Sequence, residues 1–563
     1  MKTVFHFLTA TLLMLSLSCT PSDQPGKGGK QTPAGEGGIT YQLLVYSFAD
    51  GIKNDKIGDI QGIIDHLDYI EALGASAIWL SPIHPCTSYH GYDVTTTAAS
   101  LAEGHIGYDE VNARFGNDGD VYLLCQAAHK KGIKIYLDYV LNHTSSQHPW
   151  FLDAKKSATS KYRDHYIISS NPQADITAGK IAMIAREGSN GYEASQWYGT
   201  GVGSEKYHSH FWTGAFADLN YGAAATCEQS AAFQAVCKAA EHWIDLGVDG
   251  FRLDAVRHIY HHATTDENPI FLKKFYDYCN NYYKTSGHAG DFYMVGENFE
   301  GINYVAPYYA GLPALFDFSF WWNLRDAINA GSGASFPKKV LDNQAKYAQY
   351  AASAGWNAID ATKLSNHDEQ RVGSDFNKDI GKMKLAACVL LTASGEPYVY
   401  QGEELGYWGV KEGRGDEYVR APINWLESGA GNATGSLGGK IEPGMLNAAQ
   451  SVENQEKAED SILNLYRKFG KLRNQYASLG KNGAMSQHPI YGSSSKIPAV
   501  AAWYRTSGSE KMLVLHNFSA SAVSLTLEDD NLSNLVGSNG LVLAMPKYSA
   551  VELGPYASAV FKQ

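Results

Sequence analysis

The sequence predicts an α/β protein: a (β/α)8 barrel with a subdomain inserted after its third strand and an antiparallel β-sandwich at its C-terminal end. Three observations carry this. Strand-like and helix-like segments alternate about eight times from residue 42 to residue 473, as parallel strands joined by helical crossovers require. Residues 142–217 break the alternation and are too long for an ordinary loop. From about residue 485, short strand patterns follow one another without helices.

Taken in order, residues 42–48 read as a strand, and 63–73 have helical spacing stopped by Gly74. Residues 77–80 form a short apolar strand pattern, 121–131 a helix ended by Gly132, and 133–140 a third strand. After the interruption come a helix at 231–246, a strand at 248–253, a helix at 270–283 and a strand at 292–295. An apolar piece at 315–320, a strand at 361–364, a helix at 382–391, a strand at 397–400 and a closing helix at 462–473 complete the set. Strand candidates of the sandwich lie at 500–504, 512–517, 522–527 and 550–553. The expected boundaries are 1–18 (signal peptide), 19–38 (tether), 39–141 (barrel), 142–217 (insertion), 218–484 (barrel) and 485–563 (sandwich).

Composition narrows the function. Hydrophobic residues make up 44% and charged residues 18%, which suits a globular core and excludes disorder. A net charge of −12 disfavours nucleic acid but not an uncharged polymer, and 36 tyrosines suit stacking on flat ligands. At the N-terminus, Lys2 precedes an apolar run at 4–17, too short for a membrane helix and readable as a signal peptide. The run ends Ser16-Leu17-Ser18-Cys19, similar to a bacterial lipoprotein site, although Ser16 stands where Leu is usual. Lipidation of Cys19 makes a lipid anchor the expected membrane attachment, with plain secretion as the alternative. The tether is rich in Gly, Pro, Ser and Lys. No Cys-x-x-Cys pair occurs among the remaining cysteines, which disfavours a cysteine zinc site. Cys227 and Cys237 are compatible with either a disulfide or two free thiols.

In such a barrel, chemistry sits where strands end at their C-terminal side. Four polar clusters follow strands there: Asp138 with Asn142 and His143; Arg252 with Asp254; Glu297 with Asn298; and Asn366 with His367 and Asp368. Arg252 and Asp254 alternate on one strand face, and an arginine beside an aspartate favours the ionised carboxylate. Two carboxylates in different environments can divide acid and nucleophile roles, and a third is available.

These four clusters, in this order, resemble the four sequence regions of the α-amylase family, glycoside hydrolase family 13. Further motifs agree: His90-Gly91-Tyr92-Asp93, Phe216-Ala217-Asp218-Leu219-Asn220, and the run from Gly395 to Glu404. The resemblance implies that Asp254 is the nucleophile, Glu297 the general acid/base and Asp368 the transition-state stabiliser. It implies that Arg252 holds Asp254 ionised and that His143 and His367 bond the sugar on which Tyr92 stacks. Asp93 supports the same subsite, Arg257 and His258 reach the leaving-group sugars, and Arg420 reaches the cleaved sugar. Starch or maltooligosaccharide is the implied substrate, by retaining endo-hydrolysis of α-1,4 bonds. The alternatives are a neopullulanase-like or oligosaccharide-trimming enzyme, a transglycosylase, and a non-catalytic surface starch-binding lipoprotein. A lipid anchor on this barrel is similar to the cell-surface amylases of Bacteroidetes starch-utilisation systems, whose other surface proteins become candidate partners. An insertion of about 75 residues is too short for the starch-binding module some of them carry there.

Ca²⁺ is the expected metal. Asp50, Asn54, Asp55, the carbonyl of Ile57 and Asp59 cluster oxygen donors after the first strand. The loop resembles a calcium loop of the family but has one extra residue and Lys53 where a ligand might stand. A second family site implies Asn142, Asp218 and the carbonyl of His258, pinning the insertion to the barrel.

Overall fold

The computed structural model describes residues 37–563 apart from 52–53, 187–190, 212, 263–265, 435–439 and 493–495. The expected signal segment, Cys19, Lys53 and most of the tether lie outside the described residues. Eight parallel strands close a barrel: β1 (Thr40–Leu43), β2 (Ala77–Leu80), β3 (Lys134–Tyr139), β4 (Gly250–Leu253), β5 (Tyr293–Gly296), β6 (Ala314–Asp317), β7 (Ile359–Lys363) and β8 (Glu396–Tyr400). Each pairs with its sequence neighbours, and β1 closes on β8 through Thr40 opposite Tyr398.

Alternation along the strands separates two cores. Inward residues Trp79, Tyr136, Val295, Phe316, Ala361 and Tyr398 fill the barrel. Outward residues such as Ile78, Leu80, Ile135, Leu137 and Phe251 pack under the helices. Gly250 begins β4 because a Cβ there would stand 2.5 Å from the Tyr293 carbonyl oxygen.

Several expected elements differ in detail. The first strand stops at Leu43 and a helical turn, Val45–Phe48, follows; the run is apolar because both pieces are buried. The helix expected at 63–73 is two, Ile60–Asp65 and Leu67–Ala72, broken at His66. The apolar piece at 315–320 is the end of β6 and the start of helix Phe318–Ala330. Helix Phe336–Ala354 was absent from the pattern reading: it buries only Phe336, Pro337, Val340, Tyr347 and Ala351, one narrow stripe.

Between β3 and β4 lie two small antiparallel sheets, His143–Ser145 with Phe216–Asp218, and Ile168–Ser169, Lys206–His208 and Trp197–Gly199. Beyond the barrel, a five-stranded sheet (Ala484–Gln487, Val500–Ser507, Glu510–Asn517, Ser558–Lys562, Leu535–Asn539) faces a three-stranded one (Val523–Thr526, Ala550–Leu553, Val542–Met545). Period-two alternation gives the first sheet two duties. Val500, Ala502, Leu513 and Leu515 close on the second sheet, while Ala501, Trp503, Met512 and Val514 join the barrel's outer core. All six described cysteines, Cys227 and Cys237 included, are free thiols, five of them buried. Among the described residues no helix is long and apolar enough to cross a membrane.

Candidate active site

Strand register brings the charged residues together. Asp138 on β3 lies directly opposite Arg252 on β4, and both side chains point into the barrel above Trp79. Arg252 Nη1 donates to both oxygens of Asp138 and to Asp254 Oδ1, each at 2.9 Å. Gly296 pairs with Leu253, so Glu297 emerges level with Asp254 on the adjacent strand. Ala255 then turns into the left-handed region (φ 47°), and its N–H donates to Glu297 Oε2 at 3.2 Å. Arg252 Nη2 lies 2.9 Å from the same oxygen, but its N–H is not aligned on it, so this is an ion pair without a hydrogen bond.

One guanidinium therefore serves three carboxylates, and their charges cannot all be balanced. Burial, reinforced by neighbouring Asp138 and Asp368 and only partly offset by Arg252, pushes Asp254 up to about 7. Burial, with Asp254 and Asp368 adding to it, pushes Glu297 up to about 7, and burial takes Asp138 to about 6. The arginine alone thus fails to hold Asp254 in the ordinary carboxylate range; desolvation wins. The pair titrates as a unit. The aligned bond from Arg252 favours charge on Asp254, which leaves a shared proton on Glu297.

Asp368 behaves differently. Burial raises it, but the cations Arg420 and Lys411 beside it pull it down and favour the ionised form. Arg420 Nη2 reaches Asp368 Oδ1 at 2.7 Å and Asp416 at 3.1 Å, and its Nε donates to the His367 carbonyl at 2.9 Å. His367 is kept neutral, near 3, by burial; Gln42 Nε2 donates to its Nδ1 at 2.8 Å, which leaves Nε2–H to face Tyr92 Oη. Tyr92 in turn donates to Asp138 Oδ2 at 2.9 Å and stacks on His367 at 5.6 Å.

Asp254, Glu297, Asp368, Arg252, Tyr92, His367 and Arg420 thus form one connected network. Asp93 is buried under the loop instead, accepting from the backbone N–H groups and hydroxyls of Thr87 and Ser88. His143 sits behind Tyr92: its Nε2 meets the Tyr92 carbonyl at 2.9 Å, Asn142 donates to its Nδ1, and Phe216 stacks on it at 4.3 Å. Both have their polar atoms taken by protein partners behind and beneath Tyr92. Arg257 and His258 line a cleft of about 210 Å³ together with Glu297 and Asp368, and Arg257 pairs with Glu300. The same cleft is lined by Phe211, Phe299, Phe318 and Lys411, which sequence reasoning missed. Phe299 is 54% exposed, an apolar ring beside two carboxylates. Its position two residues past Glu297 was the available clue.

A family model described as the alpha-amylase catalytic domain matches residues 42–482. The chain belongs to the alpha-amylase family. It is therefore a glycoside hydrolase by descent. A second model, the C-terminal domain of alpha-amylase SusG, matches residues 500–560. Alpha-amylase SusG of Bacteroides thetaiotaomicron is 39% identical, over 93% of this chain and 91% of that protein. Alpha-amylase 3 of Dictyoglomus thermophilum is 31% identical over 95% of each. The crystal structure of an alpha-amylase from H. orenii superposes with a TM-score of 0.74 at 30% identity, covering 94% of this chain and 99% of that one.

In this alpha-amylase family member the expected calcium ligands are unequal. Asp50 Oδ2 accepts from the Lys56 N–H at 2.6 Å, and Asp55 Oδ1 from the Ile57 N–H at 2.9 Å, with Asn54 and Lys56 at positive φ shaping the turn. Asp50 Oδ1 is buried without a partner, the kind of oxygen a hard cation would satisfy. Asp59 caps helix Ile60–Asp65 through Gly62 N–H at 2.7 Å. At the second set, Asn142 Nδ2 approaches Asp218 Oδ1 at 3.4 Å, and Asn142 Oδ1 is buried without a partner. The other oxygen of Asp218, however, faces histidines: His208 Nδ1 at 2.7 Å and His261 Nε2 at 3.6 Å. The His258 ring stacks on His210 at 4.1 Å.

Proposed function

We propose that the chain is an exported, retaining hydrolase of α-1,4-glucosidic bonds in starch or maltooligosaccharides, acting within the polymer. The observation that carries this is the pair Asp254 and Glu297, level on adjacent strands and sharing one guanidinium, with Asp368 across the cleft. Similarity to alpha-amylase SusG supports the substrate class, and the apolar run after Lys2 supports export.

In the first step Asp254 Oδ2 attacks the anomeric carbon while its Oδ1 stays on Arg252. Glu297 gives its proton to the glycosidic oxygen as the C–O bond breaks, and the reducing-side fragment leaves. The covalent β-glucosyl ester on Asp254 is then hydrolysed: Glu297, now ionised, takes a proton from water, the hydroxyl forms the new C–O bond, and Asp254 departs. Two displacements restore the α configuration. Asp368, held ionised by Arg420, bonds ring hydroxyls and stabilises positive charge on the oxocarbenium-like transition state. Tyr92 stacks on the cleaved sugar, and His367, bonded by Gln42 at Nδ1 and to the Tyr92 hydroxyl at Nε2, holds that ring in place. Phe299 and Arg257 contact the leaving-group sugars. Asp50, Asn54, Asp55 and Asp59 would hold a calcium ion, which would supply loop rigidity rather than chemistry.

Product analysis on amylose, pullulan and short maltooligosaccharides tests the reading. Wild type should release mixed-length α-anomeric products from amylose at early times, and Asp254→Asn should lose turnover by at least about 10⁴-fold while still binding maltooligosaccharide. Near-native turnover in that variant, or β-anomeric products, would discard the mechanism; cleavage confined to pullulan or to chain ends would discard the bond and mode assigned.

A further inference from the structure

The carboxylate of Asp218 is where the family resemblance and the observed donor set disagree. The family reading places a hard, oxygen-loving cation on it. The structure surrounds its Oδ2 with nitrogen. His208 Nδ1 stands 2.7 Å away and His261 Nε2 3.6 Å away, and these three ligand atoms all lie within 4.8 Å of one another. Among the described residues they are the one set of three His, Cys, Asp or Glu ligand atoms gathered so closely. All three residues are nearly out of water, at 2%, 2% and 6% exposure. His261 Nε2 is buried with no hydrogen-bond partner, pointing at the carboxylate from too far to bond it.

We propose that His208 Nδ1, Asp218 Oδ2 and His261 Nε2 form a site for a borderline divalent cation of the zinc type, with a fourth position open to water. Neutral imidazole and carboxylate are the ligands such ions take, at about 2.0–2.2 Å. In a tetrahedral shell of that radius neighbouring ligand atoms lie about 3.4 Å apart. The His261–Asp218 separation already matches. The shorter His208–Asp218 contact is a hydrogen bond in the metal-free chain; binding moves the His208 proton from Nδ1 to Nε2 and opens that contact by about 0.7 Å. Two nitrogens and one oxygen suit calcium poorly, since it takes six to eight oxygens.

The placement gives the ion a purpose. His208 and Asp218 lie on strands of the inserted segment (Lys206–His208 and Phe216–Asp218), whereas His261 belongs to the chain that follows β4. That chain also bridges to the insertion through the backbone of His261 and Ile184, with the His261 N–H on the Met183 carbonyl at 2.7 Å. A cation there fastens the insertion to the segment whose Arg257 and His258 line the cleft.

The test uses tag-free full-length protein, stripped with chelator and desalted, then titrated with Co²⁺. One equivalent should give visible d–d absorption of tetrahedral or five-coordinate intensity. Zn²⁺ should abolish it stoichiometrically and raise the melting temperature, and millimolar Ca²⁺ should not displace it. His208→Gln and His261→Gln should each lose the band while Asp55→Ala, in the proposed calcium turn, keeps it. Because His261 also carries the backbone bridge, His208→Gln decides the matter if the other variant folds poorly. Absence of the band in wild type, its displacement by Ca²⁺, or its persistence in His208→Gln overturns the proposal. None of these readouts depends on turnover, so failure here leaves the hydrolase reading untouched, and the reverse.

Discussion

Arg252 at the C-terminal rim of the barrel and Arg473 and Arg505 at its floor are all out of water, at 0%, 1% and 0% exposure. Their partners differ. Arg252 is ringed by Asp138, Asp254 and Glu297, and Trp79 lies under its plane. Arg473 bonds only main-chain carbonyls, those of Gly37, Leu391, Ala393 and Gly395. Arg505 does the same with Thr392, Ala393, Gly480 and Gly483. Carbonyls satisfy a guanidinium's donors without cancelling its charge, so burial lowers both floor arginines. Carboxylates cancel the charge, so at the rim burial is outweighed by Asp138 and Glu297 and Arg252 is held firmly charged. The floor arginines build a joint between barrel and sandwich. The rim arginine builds a titratable cluster of three carboxyls.

Removing the rim cation should have the largest effect. Arg252→Leu leaves three buried carboxylates uncompensated, so turnover should vanish and stability fall by about 3–5 kcal/mol, measured by urea unfolding. At the floor, Arg505→Leu removes a donor from four carbonyls, of which Ala393 keeps Arg473 and Thr392 keeps Trp503, and should cost about 1–3 kcal/mol, while kcat of the folded fraction stays within about twofold. A tenfold loss of kcat there would break the division between ends. A smaller effect is the pH profile. Glu297 must hold a proton and is pushed up to about 7, so kcat/KM should fall on the alkaline side with a midpoint near 7. An alkaline limb displaced beyond 9 would reassign the acid. The smallest effect is on stability. Asp254 is raised from 3.8 to about 7 on folding, so the folded chain binds more protons than the unfolded one between those values. Stability should therefore decline as pH rises from about 4 to about 7. Asp254→Asn should flatten that decline, seen as a melting temperature at pH 8 equal to or above wild type, whereas Arg505→Leu should leave its slope unchanged.

Much of this was legible in the sequence because its periodicities are local. The short apolar runs of β2 to β5 and the stop signals Gly74 and Gly132 needed no tertiary information, and the order Asp138, Arg252, Glu297, Asp368 identified the rim. What escaped depends on partners far along the chain. Helix Phe336–Ala354 is stabilised by packing on a narrow stripe, so its surface composition hid it. The state of Asp254 could not be read from Arg252 two residues away, because Asp138, Glu297 and Asp368 arrive from other strands and compete for the same charge. The protein partners of His143 and Asp93, the Tyr92 carbonyl and the Thr87–Ser88 turn, were likewise out of reach of the motif, because they are set by how the loop folds. Phe211 carries no motif at all.

The bond from Arg473 to the Gly37 carbonyl, at 2.6 Å, fixes where the polypeptide enters the domain. All eight strands run the same way, so entry just before β1 is at the pole opposite the cleft. One guanidinium thereby ties the start of the barrel, the chain before β8 and the closing helix into a single knot beneath the strands.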